Sequence, residues 1–294
     1  MEKKIIVVIG ATGSQGKGVV NALVNRGAFH VRAVTRNPEA YSGQAHEAVK
    51  ADLIDTDSLK NAFRNAYGVF AVTNFWEGAD ELAQGKNAIE AAKESGVQHF
   101  IWSTLPNVES ISHGEFNVPH FTGKAQVDAL VRNAGFKYHT FVQPPFYYQN
   151  LTGMISPQPK DDGTIGWTLP IHPHSKVIHM SDINDLGKVV AGAFLHPDAV
   201  GNGGYLSLAT ELNSFNDILA AFKANGKDYS FTHVPGDVFS TFFEGAKELT
   251  EMFGYFEQYT YMGPNSKTRI DLAKQTANGE FLPLEQWIKE AIKE

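Results

Sequence analysis

Three glycines spaced three apart, Gly10, Gly13 and Gly16, follow the β-branched run Lys4 to Ile9 and precede a stretch of helical periodicity. Glycines so placed give a turn without side chains and let backbone N–H groups approach a pyrophosphate. They also let the next helix pack closely, its positive end toward the phosphates. The predicted ligand is a dinucleotide, with Gly10, Thr12, Gly13, Ser14, Gln15 and Gly16 at its phosphates. The second strand-like run ends Val34-Thr-Arg-Asn-Pro38 and offers no Asp or Glu to the adenosine ribose hydroxyls. Arg36 stands instead where a guanidinium pairs bidentately with a 2′-phosphate, which favours NADP(H) over a weaker NAD(H). Asp52, after the third strand, is expected near the adenine amino group. The plain alternatives are a solvated surface arginine and an ordinary turn aspartate.

Other chemistries find little support. The chain has no cysteine, which excludes disulfides, thiol nucleophiles and Cys-type metal sites and suits a reducing compartment. Among 11 histidines, His172 with His174 and His113 with His120 are the nearest pairs, and no Asp, Glu or Cys joins them at a ligand spacing, so no metal is expected. A nucleophile elbow and spaced catalytic carboxylates are missing as well. With 25 Lys and Arg against 32 Asp and Glu, the charge of −7 opposes direct binding to nucleic acid or anionic membranes. The apolar start of the chain is too short for a signal peptide or a membrane span, so a cytoplasmic protein is expected.

Positioning such a loop requires alternating strands and helices. The 294 residues are 43% hydrophobic and 19% charged, enough for a sizeable core in one large domain or two small ones. Strands are predicted over Lys4–Ile9, His30–Thr35, Glu47–Lys50, Gly68–Val72, His99–Ser103 and Lys137–Val142. Helices are predicted over Gln15–Arg26, Leu59–Ala66, Asp80–Ser95 and Phe121–Ala134. The alternation predicts an α/β fold, a Rossmann-type doubly wound parallel sheet that takes ligands at the carboxyl ends of its strands. Beyond residue 150 the pattern loosens. A hairpin is expected over Gly163–Pro170, helices over Asp182–Leu195, Ser214–Ala224 and Leu284–Lys293, and a strand over Gly204–Leu208. Residues 1–150 therefore read as the dinucleotide-binding domain and 151–294 as a smaller C-terminal α+β lobe, the chain crossing between them around 175–210. The aromatic-dense run Phe239 to Tyr261 is expected in core or pocket wall, or on an oligomer surface.

The glycine loop, Val34-Thr-Arg-Asn-Pro38, Phe100-Ile-Trp-Ser-Thr104, His120-Phe-Thr-Gly-Lys124 and Pro145-Phe-Tyr-Tyr-Gln-Asn150 together resemble the NmrA-like family, an atypical branch of the short-chain dehydrogenase/reductases. The resemblance spans nearly the whole chain and is most specific in the first 150 residues. It implies an NAD(P)-binding protein. Some members are redox sensors or transcriptional co-regulators, and others are NADPH-dependent reductases of quinones or dyes. In catalytic dehydrogenases of the superfamily, Tyr and Lys four residues apart share a helix face, and the ammonium lowers the phenol pKa. Lys124 fits that lysine, and His120 stands where the tyrosine would be. The resemblance implies that Lys124 holds the nicotinamide ribose and places Ser103 and Thr104 at the superfamily's catalytic-serine position, although strand-end hydroxyls need no such role. By position, Thr73, Asn74 and Phe75 are expected along the ribose and nicotinamide, and Pro145, Phe146 and Tyr147 as the nicotinamide wall.

Two functions follow. The first is an NADP(H)-binding redox sensor that changes loop conformation or protein-partner affinity with nucleotide state. The alternative is an NADPH-dependent reductase of a small planar aromatic acceptor, since quinone reduction can take its protons from water. A scaffold with a purely structural nucleotide is a third reading. The acceptor, the protein partner and the oligomeric state are not legible in the sequence.

Overall fold

The computed structural model describes residues 2–78 and 80–292. In the first half, β1 (Ile5–Val8) leads to α1 (Ser14–Arg26), then β2 (His30–Thr35) and β3 (Glu47–Lys50). These are followed by α2 (Thr56–Ala62), β4 (Ala66–Ala71), α3 (Glu81–Glu94), β5 (His99–Ser103), a one-turn α4 (Val108–Ile111), α5 (Pro119–Asn133) and β6 (Tyr138–Gln143). The expected helix over Leu59–Ala66 starts and ends earlier. The Asp55 carboxylate accepts from the N–H groups of Asp57 and Ser58 at 3.1 Å and sets the start. Asn65, at φ 60°, turns the chain into β4, two residues before the expected strand.

The second half opens with the two-residue β7 (Phe146–Tyr147), β8 (Gln158–Pro159), β9 (Ile165–Leu169) and β10 (Ile178–Ser181). It continues through α6 (Asp185–Leu195), α7 (Pro197–Val200), β11 (Asn202–Ser207), β12 (Glu211–Asn213), α8 (Phe215–Ala224) and β13 (Ser230–His233). It closes with α9 (Gly236–Phe239), α10 (Ala246–Tyr259), α11 (Lys267–Ala277) and α12 (Leu284–Ala291). Lys293, the expected end of the last helix, lies outside the described residues, as does Met1. The hairpin expected over Gly163–Pro170 is corrected: β9 pairs antiparallel with the short β8 before the turn and parallel with β13 on its other side.

Seven strands form one parallel sheet in the order β11-β6-β5-β4-β1-β2-β3. The central strands β1, β4 and β5 are short, largely apolar and buried because both faces are covered, whereas the edge strand β3 carries Glu47 and Lys50. On one face α1, α6 and α11 bury Val19, Leu23, Val190 and Ala273. On the other, α2, α3 and α5 bury Leu59, Ala88 and Val127. α6 and β11 come from the second half, so the chain returns to the sheet after its excursion. Gly187 of α6 makes that return possible: a Cβ there would stand 2.2 Å from the carbonyl oxygen of Gly18 on α1. A third core gathers Trp167, Phe215, Phe253, Phe256 and Ile288 of the second half around Phe121 and Tyr148. Strand order reverses between β1 and β4, and the crevice at the carboxyl ends there is where such folds take ligands.

Candidate functional site

A cleft of about 680 Å³ opens at that reversal, a volume suited to an extended small-molecule ligand. Its floor is the glycine loop. Gly10 has φ 69°, its carbonyl accepts from the Gly13 N–H at 2.9 Å, and a Cβ on Gly16 would lie 2.1 Å from that carbonyl oxygen. α1 starts on Gly13 with no side-chain cap and no acidic residue in its first turn, so its leading N–H groups face the cleft. α2 and α3 are instead closed by the carboxylates of Asp55 and Asp80. At the far end stands Arg36, 71% exposed, with Nη1 3.4 Å from Glu77 Oε2. The other oxygen of Glu77 accepts from Asn74 Nδ2 at 3.2 Å. Asp52 lies in the wall, with Oδ1 accepting from the Ile54 N–H at 3.1 Å. A side-chain-free cradle, an open helix end and an exposed cation suit phosphates at one end and a charged ribose substituent at the other.

A second cavity of about 220 Å³ shares Gln15, Thr73, Asn74 and Tyr147 with the cleft. Its walls are apolar and aromatic: Phe75, Trp76, Phe121, Pro145, Phe146 and Met154, and from later in the chain Leu249, Met252 and Tyr261. β7 holds Phe146 and Tyr147 in place by pairing with Met180 and Ser181 of β10. Among the described residues Tyr147 Oη is buried without a partner, and burial drives that phenol well above its ordinary pKa.

Lys124 lies in the wall of this cavity, nine-tenths buried, and pairs with Glu81 at the start of α3. Its Nζ also donates to Thr73 O at 2.8 Å and to Thr73 Oγ1 at 3.0 Å, while Thr73 Oγ1 donates to Glu81 Oε1 at 2.6 Å. Burial pulls the ammonium below its ordinary pKa, and the carboxylate beside it opposes the shift. The indole of Trp102 on β5 donates to Lys124 O at 3.1 Å and fixes the height of α5. One turn earlier, His120 sits just after Pro119 at the start of the helix. Its backbone N–H donates to Glu248 Oε1 of α10 at 3.2 Å, and its Nδ1 hydrogen-bonds to the same oxygen. Burial works to raise the Glu248 pKa, but the two bonds from His120 win and hold the carboxyl below its usual range.

The structure brings Gly10, Thr12, Gly13, Ser14, Gln15, Gly16, Arg36, Asp52, Thr73, Asn74 and Tyr147 to the cleft. Phe75, His120, Lys124, Pro145 and Phe146 line the second cavity. Ser103 and Thr104 line neither. Ser103 Oγ donates to Gln15 Oε1 at 2.7 Å and so steadies a residue common to both spaces, while Thr104 is fully buried with its hydroxyl toward Leu105 O at 3.4 Å. Glu81 and Glu248 were not foreseen, while Met252 and Tyr261 fall in the run Phe239 to Tyr261 expected in core or pocket wall. Glu81 reads as an ordinary acidic residue in a helix's first turn, and Glu248 lies 128 positions from its partner, so neither leaves a local signal. Trp76, beside Phe75, was within reach of the positional argument.

The histidine pairs have other partners. His172 binds Glu257 through Nδ1 at 2.9 Å and stacks on His233, and among the described residues no three His, Asp or Glu side chains form a group able to hold a metal. Nor is any helix among them long and apolar enough to cross a membrane.

The profile of the NmrA-like family matches residues 2–290. The NmrA-like family domain-containing oxidoreductase FrzB of a Cladobotryum species is 29% identical over a 244-residue alignment, covering 74% of this chain and 72% of that one. NmrA, a negative transcriptional regulator crystallised with NADP, superposes with a TM-score of 0.81 over 100% of this chain and 97% of its own, at 23% identity. The NADPH-dependent quinone oxidoreductase of Escherichia coli, crystallised with NADPH, gives 0.76 over 98% and 99% at 17% identity. At these identities the structural likeness is one of fold.

Proposed function

The chain belongs to the NmrA-like family, and we propose that it binds NADP(H) and reduces a small, flat, conjugated acceptor. The observation that carries this reading is the aromatic cavity opening onto the glycine-floored cleft through Gln15, Thr73, Asn74 and Tyr147. NADPH supplies a hydride when bound. The protein's own residues bind and orient: the glycine loop and the N-terminus of α1 take the phosphates, Arg36 takes the 2′-phosphate, and Lys124, braced by Glu81, faces the junction of the two spaces. Phe75, Trp76, Phe146 and Tyr261 give a planar acceptor apolar surface on several sides and keep bulk water from its face. The relatives named as oxidoreductases support the same reading.

A second reading, sensing of the nucleotide state, has one observation in its favour. Glu77 ties Arg36 to the turn that carries Phe75 and Trp76, so a phosphate at Arg36 competes with a contact that holds a pocket wall. A sensor must have different affinity for its ligand in two states.

Oxidation of NADPH, followed by its near-ultraviolet absorbance against a panel of quinones, aldehydes and dyes, tests the proposal, with Lys124→Ala as control. Acceptor-dependent turnover that the variant loses is the expected result. Tight NADPH binding with no turnover on any acceptor refutes the reductase reading and leaves the sensor.

A further inference from the structure

We propose that His120, held by Glu248, is the proton donor to the reduced acceptor, a role that rests on the reductase reading above. The geometry is that of an oriented acid. Glu248 Oε1 takes two bonds from one residue, the His120 backbone N–H and Nδ1, which fixes both the start of α5 and the ring. With Nδ1–H given to the carboxylate, Nε2 is the ring nitrogen left for the cavity that His120 lines. The ring lies against Phe75, Trp76 and Phe121, with centroids 5.9, 5.3 and 4.9 Å away, and lines the aromatic cavity.

Other charges on the elements packed around the ring are engaged elsewhere or exposed. On α10, Glu251 accepts from the Asn117 N–H at 3.3 Å and Lys247 points to solvent. Glu77, on the turn carrying Phe75 and Trp76, pairs with Arg36. Lys124, one turn along α5, pairs with Glu81. Glu248 is therefore the charge bound to His120, and the Lys124 ammonium is paired with its own carboxylate, Glu81.

The step balances. Two electrons and a hydrogen nucleus arrive at a conjugated carbonyl acceptor as hydride, and the negative charge collects on its oxygen. The Nε2–H bond of the His120 imidazolium breaks as the O–H bond forms, leaving a neutral imidazole and a neutral reduced acceptor. Glu248 stays ionised throughout and compensates the imidazolium before the transfer. The ring regains a proton from water at the rim, where Trp76 is 55% exposed.

The experiment separates kcat from KM for acceptor reduction in the wild type, Glu248→Gln and His120→Gln. His120→Gln should reduce kcat by about 10²-fold, the lower end of what a positioned acid contributes, and leave the acceptor KM little changed. Glu248→Gln should lower kcat by less, since the ring stays in place and loses its brace. NADPH affinity by calorimetry should be unchanged in both variants, since neither residue lines the cleft. A His120→Gln protein that keeps the wild-type kcat, or a Glu248→Gln protein whose kcat does not fall, overturns the acid role alone. A wild type that binds NADPH and turns over no acceptor at any pH overturns the reductase reading along with it.

Discussion

The cleft and the aromatic cavity adjoin, yet they are built on different principles. The cleft is made from backbone: one turn of chain between β1 and α1, the helix end behind it, and the tips of the next strands. Its chemistry depends on what is missing, a Cβ at Gly16 and a side-chain cap at Gly13. The cavity is made from side chains that meet across long sequence separations, Phe75 and Trp76 from after β4, His120 and Lys124 from α5, Met252 from α10 and Tyr261 from just after it. A site made of local backbone is hard to change without losing it altogether. A site made of distant side chains changes by one substitution at a time, so a family can keep its nucleotide and alter what lies beside it.

Four measurements bear on that division. Glu81→Gln leaves the Lys124 ammonium buried without a counter-charge, and loss of one partner of a buried pair costs about 3–5 kcal/mol, to be read from urea unfolding. The cavity should suffer while the glycine loop does not, so an NADPH affinity that falls as steeply as stability would show the two regions to be one. Arg36→Ala is the converse. Removing a charge-assisted contact worth about 1.5–3 kcal/mol should cost roughly 10–100-fold in NADPH affinity and nothing in NADH affinity, with the acceptor KM unchanged. Equal losses for both nucleotides in a calorimetric titration would remove Arg36 from the 2′-phosphate site.

Asp128, one turn beyond Lys124, tests the ground under the cavity. Burial pushes its carboxyl up to about 7, although Tyr205 Oη donates to Oδ2 at 2.8 Å. The folded state thus holds this proton more tightly than the unfolded chain, whose aspartates titrate near about 3.9. The stability contributed by protonated Asp128 is complete below that value and is lost as pH rises toward about 7. Asp128→Asn should flatten this part of the profile, seen as a smaller difference between urea midpoints at about pH 5 and about pH 8. The smallest effect belongs to Glu77, which touches both regions. An exposed pair contributes about 0.2–1 kcal/mol, so Glu77→Gln should tighten NADPH binding by up to about 5-fold and NADH binding less, and an unchanged ratio would uncouple the pocket wall from the nucleotide.

Much of the fold was legible in the sequence. His30–Thr35, Glu47–Lys50 and His99–Ser103 are strands with the predicted ends, because a short run too brief for a helix and bounded by turn residues buries its apolar side chains best in a sheet. Boundaries moved where a side chain intervened, as Asp55 does at α2. Helix α11, from Lys267 to Ala277, was not foreseen, since its polar sequence shows a narrow apolar stripe and it is held by packing on α6 and β11.

The same line divides the site. Sequence alone determined the glycine cradle, the strand and helix on either side of it, and Arg36 at the tip of β2, because these depend on neighbours in the chain and on the steric freedom of glycine. The tertiary structure decided that Lys124 is bound to Glu81, that His120 is bound to Glu248, and that Ser103 steadies Gln15 and does not line either cavity. Those pairings join residues 43, 128 and 88 positions apart. No local pattern encodes them, since a buried charge takes whichever partner the packing of the whole chain brings within reach.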